Sequence, residues 1–569
     1  MIRSRMIATQ SEVVVEHGLV VAGHNQEAEA GVRIMQAGGN AVDALVAAAF
    51  AGFVVEPSNC GVGGYARLSI YWAECDELIS IDAYVRAPGR ARPDMFEPDY
   101  EAPLTYYGYP ATRGQKANTG FLACAVPGAV AGLCAAHTLF GALPLAEVLQ
   151  PAIEIAERGL PVYASLARTI ANLYDDIRAL PDTAALLLPN GRPARAGDAW
   201  TEGDILDFSA LAQTLRRIAR YGAAGFHTGP VAEAIERYVV GHGGILTAQD
   251  LAAFRPRIMR EKPAHYRGYD YISCYDQVSY EALNILACFD LRQYGPDSVE
   301  FRHLFAEALG RAFVDSMVHY GDPDFTRSPV NGLASRDYAA IRAAEIALDR
   351  ATPRPIPAGD PWPFENEKDR PERLSPGVTR AELGGTTQMV AADRAGNLAV
   401  TCTSLSGAFG SCVYVPEVGV MLNNSMRNFD PRPDHPNCIQ PGKMPIFAAP
   451  VIAVRREGRP VFAASGSGGY RIETGVLHTL IHTLDFGMEV QPAVDAPRVH
   501  CQGEATYVSG LLPEAVKRRL AEMGHDLVEQ TDDVNANYYG RVCAIHVDPR
   551  TRLLRAGSGP AWQTAAAGF

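Results

Sequence analysis

Residues 382–390 read Glu-Leu-Gly-Gly-Thr-Thr-Gln-Met-Val and mark the point where the pattern of the chain changes. The segment before them is proline-rich and lacks apolar periodicity, whereas an alternating, strand-like pattern begins at Thr387. A reactive hydroxyl at this junction is explained if the peptide bond between Gly385 and Thr386 is cut. Thr386 would then be an N-terminal residue that carries a hydroxyl nucleophile and its own amine base. The stretch therefore predicts a cleavage point that is also a reactive site.

The segment that leads to this point, 352–385, contains seven prolines and no clear helical or strand period. Structureless segments longer than about 15 residues are uncommon inside compact chains and are usually functional or disordered. We therefore predict a loop or mobile arm over 352–385 that ends at the cleavage point.

Composition restricts the class of protein and its partners. The chain has 569 residues, of which 47% are hydrophobic and 20% are charged, as in soluble globular proteins with a large core. A net charge of −13 argues against nucleic acid or an anionic membrane as the main partner. The apolar run 41–55 carries Asp43 and is shorter than the roughly 20 residues of a membrane span, so it predicts a buried helix.

The cysteines and the N-terminus predict a cellular location. The 11 cysteines are scattered and contain no Cys-x-x-Cys pair, which favours reduced, buried thiols over disulfides or a metal site. The first residues include basic side chains but no apolar core of a signal peptide. We expect a cytoplasmic protein without metal ions or cofactors.

Secondary-structure patterns differ on the two sides of residue 385. Between 144 and 260 the pattern is mainly helical, with proline in first turns and glycine at helix ends. After residue 386, the runs 387–392 and 398–403 alternate and are joined by a turn at 393–397, which predicts a β-hairpin. The chain is therefore expected to combine helices and antiparallel strands.

A free Thr386 would need few partners for acyl transfer. Its α-amine would have a pKa of about 7.7–8 and could take the proton of its own hydroxyl, so no histidine is required. Gly468 and Gly469 precede a predicted helix, and their exposed N–H groups suit an oxyanion. Ser404 and Ser406, on the next strand, could hydrogen-bond the Thr386 hydroxyl or a substrate.

Ordered motifs along nearly the whole chain resemble the γ-glutamyltransferase (glutathione hydrolase) family of N-terminal-nucleophile hydrolases. The motifs are Gly38-Gly-Asn-Ala-Val-Asp-Ala44, Val126-Pro-Gly128, Pro151-Ala-Ile153, Asp322-Pro-Asp-Phe325, Thr386-Thr387, Asp393-Arg-Ala-Gly-Asn397, Leu422-Asn-Asn424 and Gly468-Gly-Tyr-Arg-Ile472.

The resemblance implies an α+β fold, a four-layer αββα sandwich with an additional helical region in the N-terminal part. It also implies a precursor that cleaves itself between Gly385 and Thr386 into a large subunit, 1–385, and a small subunit, 386–569, which together make one fold. Thr386 would be the nucleophile of both self-cleavage and catalysis, and Gly468 and Gly469 would form the oxyanion hole. Ser404 occupies the position of a Thr or Ser that hydrogen-bonds the nucleophile in the family.

The chain departs from the family at residues that hold a γ-glutamyl group. Tyr84 stands where the family has an arginine for the substrate carboxylate, and Arg86 follows two residues later. Ile446 and Phe447 replace a serine pair. Ser406, Ser425 and Asn428 stand where an Asn, a Glu or Gln and an Asp bind the substrate amine.

These departures predict a different substrate pocket, because leaving a buried substrate charge unpaired costs about 1–3 kcal/mol or more. Arg86 and Arg427 are either relocated carboxylate contacts or solvated surface charges. The predicted pocket residues are Tyr84, Arg86, Ser406, Ser425, Arg427, Asn428 and Phe447. Glutathione is therefore expected to be a poor substrate.

Three functions remain open at this stage. The first is a self-cleaving threonine amidohydrolase that acts on a small amide, oxamate-type or another non-glutamyl amide. The resemblance also allows acylated β-lactams. The second is a true γ-glutamyltransferase with a rebuilt pocket, and the third is an uncleaved, non-catalytic homologue. The expected partners are a small-molecule amide and the two subunits of one precursor, and association into a homo-oligomer is left open.

Overall fold

The computed structural model describes residues 10–105, 108–365, 384–446, 449–531, 538–560 and 563–569. Within these residues, two seven-stranded sheets lie face to face with helices on both outer surfaces. The predicted α+β class and four-layer αββα sandwich are confirmed.

The strands of the described residues are, in chain order, β1 (Val13–Val15), β2 (Gly18–Ala22), β3 (Tyr65–Trp72), β4 (Glu77–Ala83), β5 (Pro98–Asp99), β6 (Ala111–Thr112), β7 (Leu160–Pro161), β8 (Ile205–Leu206), β9 (Arg257–Arg260), β10 (Ala264–Tyr266), β11 (Tyr269–Ser273), β12 (Gly384–Asp393), β13 (Leu398–Gly407), β14 (Tyr414–Val415), β15 (Val420–Met421), β16 (Val451–Arg456), β17 (Arg459–Ser467), β18 (Val499–Cys501), β19 (Thr506–Ser509), β20 (Leu527–Gln530), β21 (Arg541–Val547), β22 (Leu554–Ser558) and β23 (Ala565–Gly568).

The α-helices of the same residues are α1 (Asn25–Gln36), α2 (Ala41–Val55), α3 (Ala129–Phe140), α4 (Leu145–Val148), α5 (Gln150–Arg158), α6 (Ala164–Asn172), α7 (Tyr174–Arg178), α8 (Pro181–Leu187), α9 (Ser209–Tyr221), α10 (Ala224–His227), α11 (Pro230–Gly241), α12 (Ala248–Ala253), α13 (Gln277–Ala287), α14 (Val299–His319), α15 (Val330–Leu333), α16 (Arg336–Ala344), α17 (Arg471–Leu484), α18 (Val490–Asp495) and α19 (Glu514–Glu522). None of them is both long and apolar enough to cross a bilayer.

The sheet that contains Thr386, called the Thr386 sheet below, has the order β23-β2-β12-β13-β3-β4-β9. The facing sheet has the order β1-β22-β21-β17-β16-β11-β10, and its strand β17 packs against β12 and β13. Helices α1, α2 and α3 cover the outer side of the Thr386 sheet, while α17 and α18 cover the facing sheet. Strand β13 is therefore buried along its whole length.

Helix α2 is the buried helix predicted from its apolar sequence. Asn40 caps its N-terminus, because the Asn40 side chain accepts from the Val42 and Asp43 amides while Asp43 accepts from the Asn40 amide. All residues of the helix are buried between the sheet and α5. Glu56 follows directly, so the helix brings a carboxylate to the interior next to β12.

The predicted helical region of the N-terminal part is confirmed by α3 to α12. These helices continue outward from α2, with α5 packed between α2 and α9.

The first part of the predicted loop or arm, 352–365, packs on the protein. Thr352 and Arg354 donate hydrogen bonds of 2.6 and 2.7 Å to the buried carboxylate of Glu307 on α14. Ile356 is buried, and the Gly359 amide donates to Asp315 at 2.7 Å. A buried carboxylate needs such partners, and the proline-rich sequence supplies them without regular structure. Residues 366–383 of the predicted arm lie outside the described residues, and its last two residues, Gly384 and Gly385, begin β12.

Candidate active site

Thr386 lies near the start of β12, where the pairing with β13 is irregular. Gly385 pairs with Ser406 and Thr386 pairs with Ser404, so Leu405 is an extra residue on β13. Such a β-bulge disrupts the ladder and turns the strand locally. The Ser406 backbone has a φ of 78°, a left-handed value that a serine rarely adopts. The irregularity falls at the bond between Gly385 and Thr386.

The Thr386 hydroxyl is buried and hydrogen-bonded to Ser404. Thr386 is 2% exposed, and its Oγ1 donates to Ser404 Oγ at 3.1 Å. Ser404 Oγ in turn donates to the carbonyl oxygen of Gly385 and accepts from the Ser406 amide at 2.8 Å. One hydroxyl thus contacts both the candidate nucleophile and the carbonyl of the preceding residue. A donor on that oxygen stabilises the charge that forms during attack on the carbonyl carbon.

Gly385 is confined by backbone on two sides. A Cβ atom added there would lie 2.5 Å from the Gly407 carbonyl oxygen and 2.8 Å from that of Ser58. Both distances are shorter than atomic contact allows, so only glycine fits at this position without a backbone shift.

Arg541, the first residue of β21, reaches Thr386 from the facing sheet. It is buried, and its Nη2 donates to the Thr386 carbonyl oxygen at 2.9 Å while its Nε donates to Ser467 Oγ at 2.8 Å. Its Nη1 forms an ion pair with Glu56 at 3.1 Å. Removing one partner of a buried ion pair typically costs about 3–5 kcal/mol, because the other charge stays buried.

Glu56 is ionised although it is buried. Burial alone would raise the pKa of Glu56, but the Arg541 guanidinium, the Thr387 hydroxyl and His24 outweigh it and lower the pKa below its usual value. For the neighbouring Glu27, burial and the Glu56 carboxylate raise the pKa well above its usual value. The two carboxyls behind the candidate nucleophile therefore have pKa values shifted in opposite directions.

Gly468 and Gly469 form a turn between β17 and α17. Their φ values are 130° and 60°, and a Cβ on Gly468 would lie 2.8 Å from Gly540 Cα. The carbonyl of Gly468 accepts from the Arg471 amide at 3.3 Å, at the start of α17. Because a trans peptide places N–H opposite C=O, the Gly469 N–H points away from the helix. The turn directly follows Ser467, which Arg541 ties to the Thr386 backbone.

Three of the predicted pocket residues form one hydrogen-bonded chain next to the bulge. Ser406 Oγ donates to Asn428 Oδ1 at 3.1 Å, and Asn428 Nδ2 donates to Tyr84 Oη at 2.6 Å. Tyr84 is fully buried, and its ring contacts the Tyr65 ring edge-on at 4.3 Å. These three side chains are therefore neutral and hydrogen-bond one another.

The other predicted pocket residues are placed differently. Arg86 binds Asp82 at 3.1 Å and the carbonyls of Tyr84 and Val85 at 3.1 and 3.0 Å, an arrangement that favours a structural ion pair over a substrate contact. Ser425 is buried and begins the short 3-10 helix Ser425–Asn428. Phe447 lies outside the described residues.

Arg427 and Arg67 carry positive charge close to the hydrogen-bonded chain of Ser406, Asn428 and Tyr84. The Arg427 Nη1 atom would lie 3.2 Å from a Cβ at Gly407, the residue after Ser406. The Arg67 guanidinium lies over the Tyr84 ring at 4.7 Å and binds Asp82 at 3.3 Å. Arg67 was not identified from the sequence.

Among the residues that the structure describes, His303, Glu307 and His525 have the spacing of metal ligands, with ligand atoms within 4.8 Å of one another. However, His303 Nδ1 and His525 Nε2 are hydrogen-bonded to each other at 2.8 Å. Glu307 accepts from Arg311 and Arg354, each at 2.7 Å. Two guanidinium groups repel a cation, so the geometry favours a structural polar network.

Sequence reasoning missed Arg541 and Glu56. Two signals could have indicated them. Glu56 is a charge directly after a helix that is apolar except for Asp43, and Arg541 is a charge that opens a mainly apolar strand. Charges in such positions usually require a buried partner.

A family model described as Gamma-glutamyltranspeptidase matches residues 28–569. The chain is 36% identical to the Acylase ACY 1 proenzyme of Pseudomonas sp. (strain SE83) over 518 residues, covering 90% of this chain and 87% of that protein. It is 31% identical to the Glutathione hydrolase proenzyme of Bacillus subtilis (strain 168) over 543 residues, covering 94% of this chain and 88% of the relative.

Among solved structures, the cephalosporin acylase from Bacillus halodurans superimposes with a TM-score of 0.85 and 28% identity. The match covers 100% of this chain and 98% of that one. The family match, the two relatives and the shared architecture lead to one conclusion: the chain belongs to the gamma-glutamyltranspeptidase family.

Proposed function

We propose that this chain is a self-cleaving threonine amidohydrolase with Thr386 as its nucleophile. As a member of its family the chain is an amide-bond hydrolase or acyltransferase. The observation that carries the proposal is the Ser404 hydroxyl, which contacts both Thr386 Oγ1 and the Gly385 carbonyl oxygen. The relatives named as proenzymes support a cleaved precursor.

Self-cleavage would begin with attack of Thr386 Oγ1 on the Gly385 carbonyl carbon. The Ser404 hydroxyl donates to the oxygen that becomes negative. The C–N bond then breaks, its nitrogen takes the proton from Oγ1, and an ester joins Gly385 to Thr386. Water hydrolyses this ester, which leaves a Gly385 carboxylate and a free Thr386 amine.

Each later turnover would use that amine as the base. The amine takes the Oγ1 proton as the oxygen attacks the substrate carbonyl, and the amides of Gly468 and Gly469 bind the oxyanion. The proton passes to the leaving nitrogen when the amide C–N bond breaks. Water then hydrolyses the acyl ester and restores the Thr386 hydroxyl.

The substrate is an amide whose acyl group is small and not a γ-glutamyl group, with oxamate-type amides included. This is supported by the neutral chain of Ser406, Asn428 and Tyr84, which offers hydroxyl and amide groups where a glutamyl zwitterion would need charges. The similarity to a protein named Acylase and to a cephalosporin acylase supports a broader range of acyl groups.

A γ-glutamyltransferase with a rebuilt pocket is the second candidate. It is favoured by Arg427 beside Gly407, the residue that follows Ser406, because a guanidinium there could pair with a substrate carboxylate. The relatives named glutathione hydrolase are consistent with it.

The subunits 1–385 and 386–569 and a cytoplasmic location belong to the same proposal. Fractionation of cells that express the chain tests the location, with activity expected in the cytoplasmic fraction.

The function is tested on a denaturing gel and with a panel of amides. Purified protein should resolve into two fragments cut before Thr386, and the Thr386→Ala variant should stay uncut and inactive. Thr479→Ala is a matched control, because Thr479 is an equally buried threonine whose hydroxyl binds Gly475 of its own helix. Cleaved wild type should hydrolyse small acyl amides faster than a γ-glutamyl anilide. An uncut wild type would contradict the proposal, and faster turnover of the anilide would favour the second candidate.

A further inference from the structure

Strand β2 ends before it reaches the start of β12. The two strands pair from Met389 with Ala22 to Asp393 with Gly18. The described pairing leaves 386–388 beyond the end of β2, although the nucleophile lies in this part of β12. Where a buried strand has no neighbouring strand, its backbone N–H and C=O groups need other hydrogen-bond partners.

The Arg541 guanidinium occupies this gap. Its Nη2 donates to the Thr386 carbonyl, and its Nη1 lies 3.5 Å from the carbonyl of Gly23, the residue that follows β2. A side chain of the facing sheet thus replaces the missing strand partner of Thr386.

The same guanidinium also binds the element that carries the oxyanion turn. Its Nε donates to Ser467 Oγ, and Ser467 directly precedes Gly468 and Gly469. Glu56 forms an ion pair with the third guanidinium nitrogen, Nη1. A planar guanidinium can serve three acceptors on different sides, which a lysine ammonium cannot do in the same geometry.

We propose that Arg541, held by Glu56, is a positioning residue that fixes the Thr386 backbone and the Gly468–Gly469 turn relative to each other after the chain is cut. This inference rests on the proposed function. Before cleavage Thr386 is also held by its peptide bond to Gly385. Once that bond is broken, the hydrogen bond from Arg541 to the Thr386 carbonyl acts together with the pairing to Ser404 to hold the residue that carries both nucleophile and base.

The positive charge has a second effect on the same residue. A guanidinium bound to the Thr386 carbonyl disfavours protonation of the α-amine on the adjacent carbon, so more of the amine is free to act as base near neutral pH. Glu56 lies on the far side of the guanidinium and opposes this effect. The other titratable groups packed around the pair are Glu27, His24, Cys60, Tyr163 and Cys543.

The two charges therefore predict opposite shifts of the pH profile. In Arg541→Met the acid limb of kcat should move to higher pH by about one unit, and in Glu56→Gln it should move to lower pH. Arg541→Lys keeps the positive charge but loses the planar guanidinium that serves several acceptors. The acid limb of its kcat–pH profile should therefore stay near that of wild type, while kcat falls. A kcat loss of about 100-fold with KM within about 3-fold is expected for Arg541→Met, the size associated with a misplaced reactive group.

The measurements are kcat, KM and their pH dependence on one small acyl amide, with the pH dependence of carbamoylation of the Thr386 amine by cyanate as a readout independent of turnover. Arg342→Met is the matched control, because Arg342 forms a buried ion pair with Asp315 at 3.0 Å within the helical layer. The control should lower the melting temperature and leave the pH profile unchanged.

The outcomes separate this inference from the proposed function. If Arg541→Met does not cleave itself, Arg541→Lys and Glu56→Gln decide: a lower kcat in Arg541→Lys together with an acid limb at lower pH in Glu56→Gln supports the inference. Equal kcat and equal pH profiles in cleaved wild type and in the Arg541 and Glu56 variants would overturn the inference, as would shifts of Arg541→Met and Glu56→Gln in the same direction. A wild type that neither cleaves itself nor hydrolyses amides would instead overturn the proposed function.

Discussion

At the scale of single residues, Ser404 combines two tasks that are usually separate. Its hydroxyl accepts from Thr386 Oγ1 and donates to the Gly385 carbonyl, and the Ser406 amide fixes its orientation. The bulge at Leu405 allows this geometry, because it brings the Ser406 amide to the Ser404 side chain while Gly385 pairs with Ser406. In the proposed mechanism the serine would therefore assist self-cleavage as well as later turnover.

We therefore predict that Ser404→Ala slows self-cleavage by about 100- to 1000-fold, the usual loss when one oxyanion donor is removed. Ser404→Thr, which keeps the hydroxyl, should cleave within about 10-fold of wild type. The rate is measured by following the two fragments on denaturing gels after expression. Ser465→Ala is the control, because Ser465 binds only the Pro450 carbonyl among its described side-chain contacts. Equal cleavage rates for Ser404→Ala and the control would show that Ser404 does not act on the carbonyl.

At the scale of elements, local sequence patterns predict β12, β13 and α2 well. The hairpin expected at 387–392 and 398–403 lies within β12 and β13, and the apolar run 41–55 forms α2. The bulge at Leu405 could not be predicted, because distant residues fix it. The Leu405 amide donates to the Asn59 carbonyl at 3.0 Å, and its carbonyl accepts from the Asn424 amide at 3.1 Å.

The contrast between local patterns and distant contacts also explains the other differences between the predicted and the observed structure. The Gly-Gly turn is visible in the sequence because glycine and the following helix are adjacent, whereas the contacts of Arg541 join residues far apart in the chain. The packing of 352–365 was missed because a proline-rich pattern says nothing about a carboxylate on another helix. Thr352 and Arg354 are held by Glu307, not by local structure.

The attachment of 352–365 should depend on pH and on Glu307. Burial would raise the pKa of Glu307, but Arg354, the Thr352 hydroxyl and Arg311 outweigh it and lower the pKa below its usual value. A carboxyl whose folded pKa is lowered stabilises the fold above its unfolded pKa of about 4.3, and this contribution is lost as pH falls through the folded pKa. We expect 352–365 to stay protected from hydrogen exchange from pH 7 down to about 4.5.

Glu307→Gln should abolish that protection at neutral pH, because a neutral amide leaves Arg311 and Arg354 without their counter-charge. The measurement is hydrogen exchange followed by mass spectrometry of peptides from 352–365. Glu345→Gln is the control, since Glu345 is a more exposed partner of Arg311 on the neighbouring helix. Protection that survives in Glu307→Gln would mean that apolar packing of Ile356 alone holds the segment.

At the scale of the whole molecule, the proposed cut divides the chain but not the fold. The Thr386 sheet takes β2, β3, β4, β9 and the first two residues of β12 from 1–385, and the rest of β12, β13 and β23 from 386–569. The facing sheet takes β1, β10 and β11 from the first piece and β16, β17, β21 and β22 from the second. Neither piece contains the whole of either seven-stranded sheet, so each would expose strand edges and core if they separated.

We therefore predict that the two pieces stay associated after cleavage. They should elute together in size-exclusion chromatography at the position of the uncut Thr386→Ala variant, and should unfold in one shared transition. Two bands on a denaturing gel together with one native peak are the expected result. Separation of the pieces in native buffer, or two independent unfolding transitions, would contradict the prediction.

Arg541 lies 155 residues after Thr386 in the chain, and this spacing sets a time order during synthesis. While a ribosome is still making the second half, Thr386 has already emerged but β17, the Gly-Gly turn and the guanidinium that binds its carbonyl have not. An incomplete chain therefore has a threonine but no assembled site around it. Self-cleavage would then mark a chain whose translation has passed β21, and unfinished or truncated products would remain inert towards the amides of the cell.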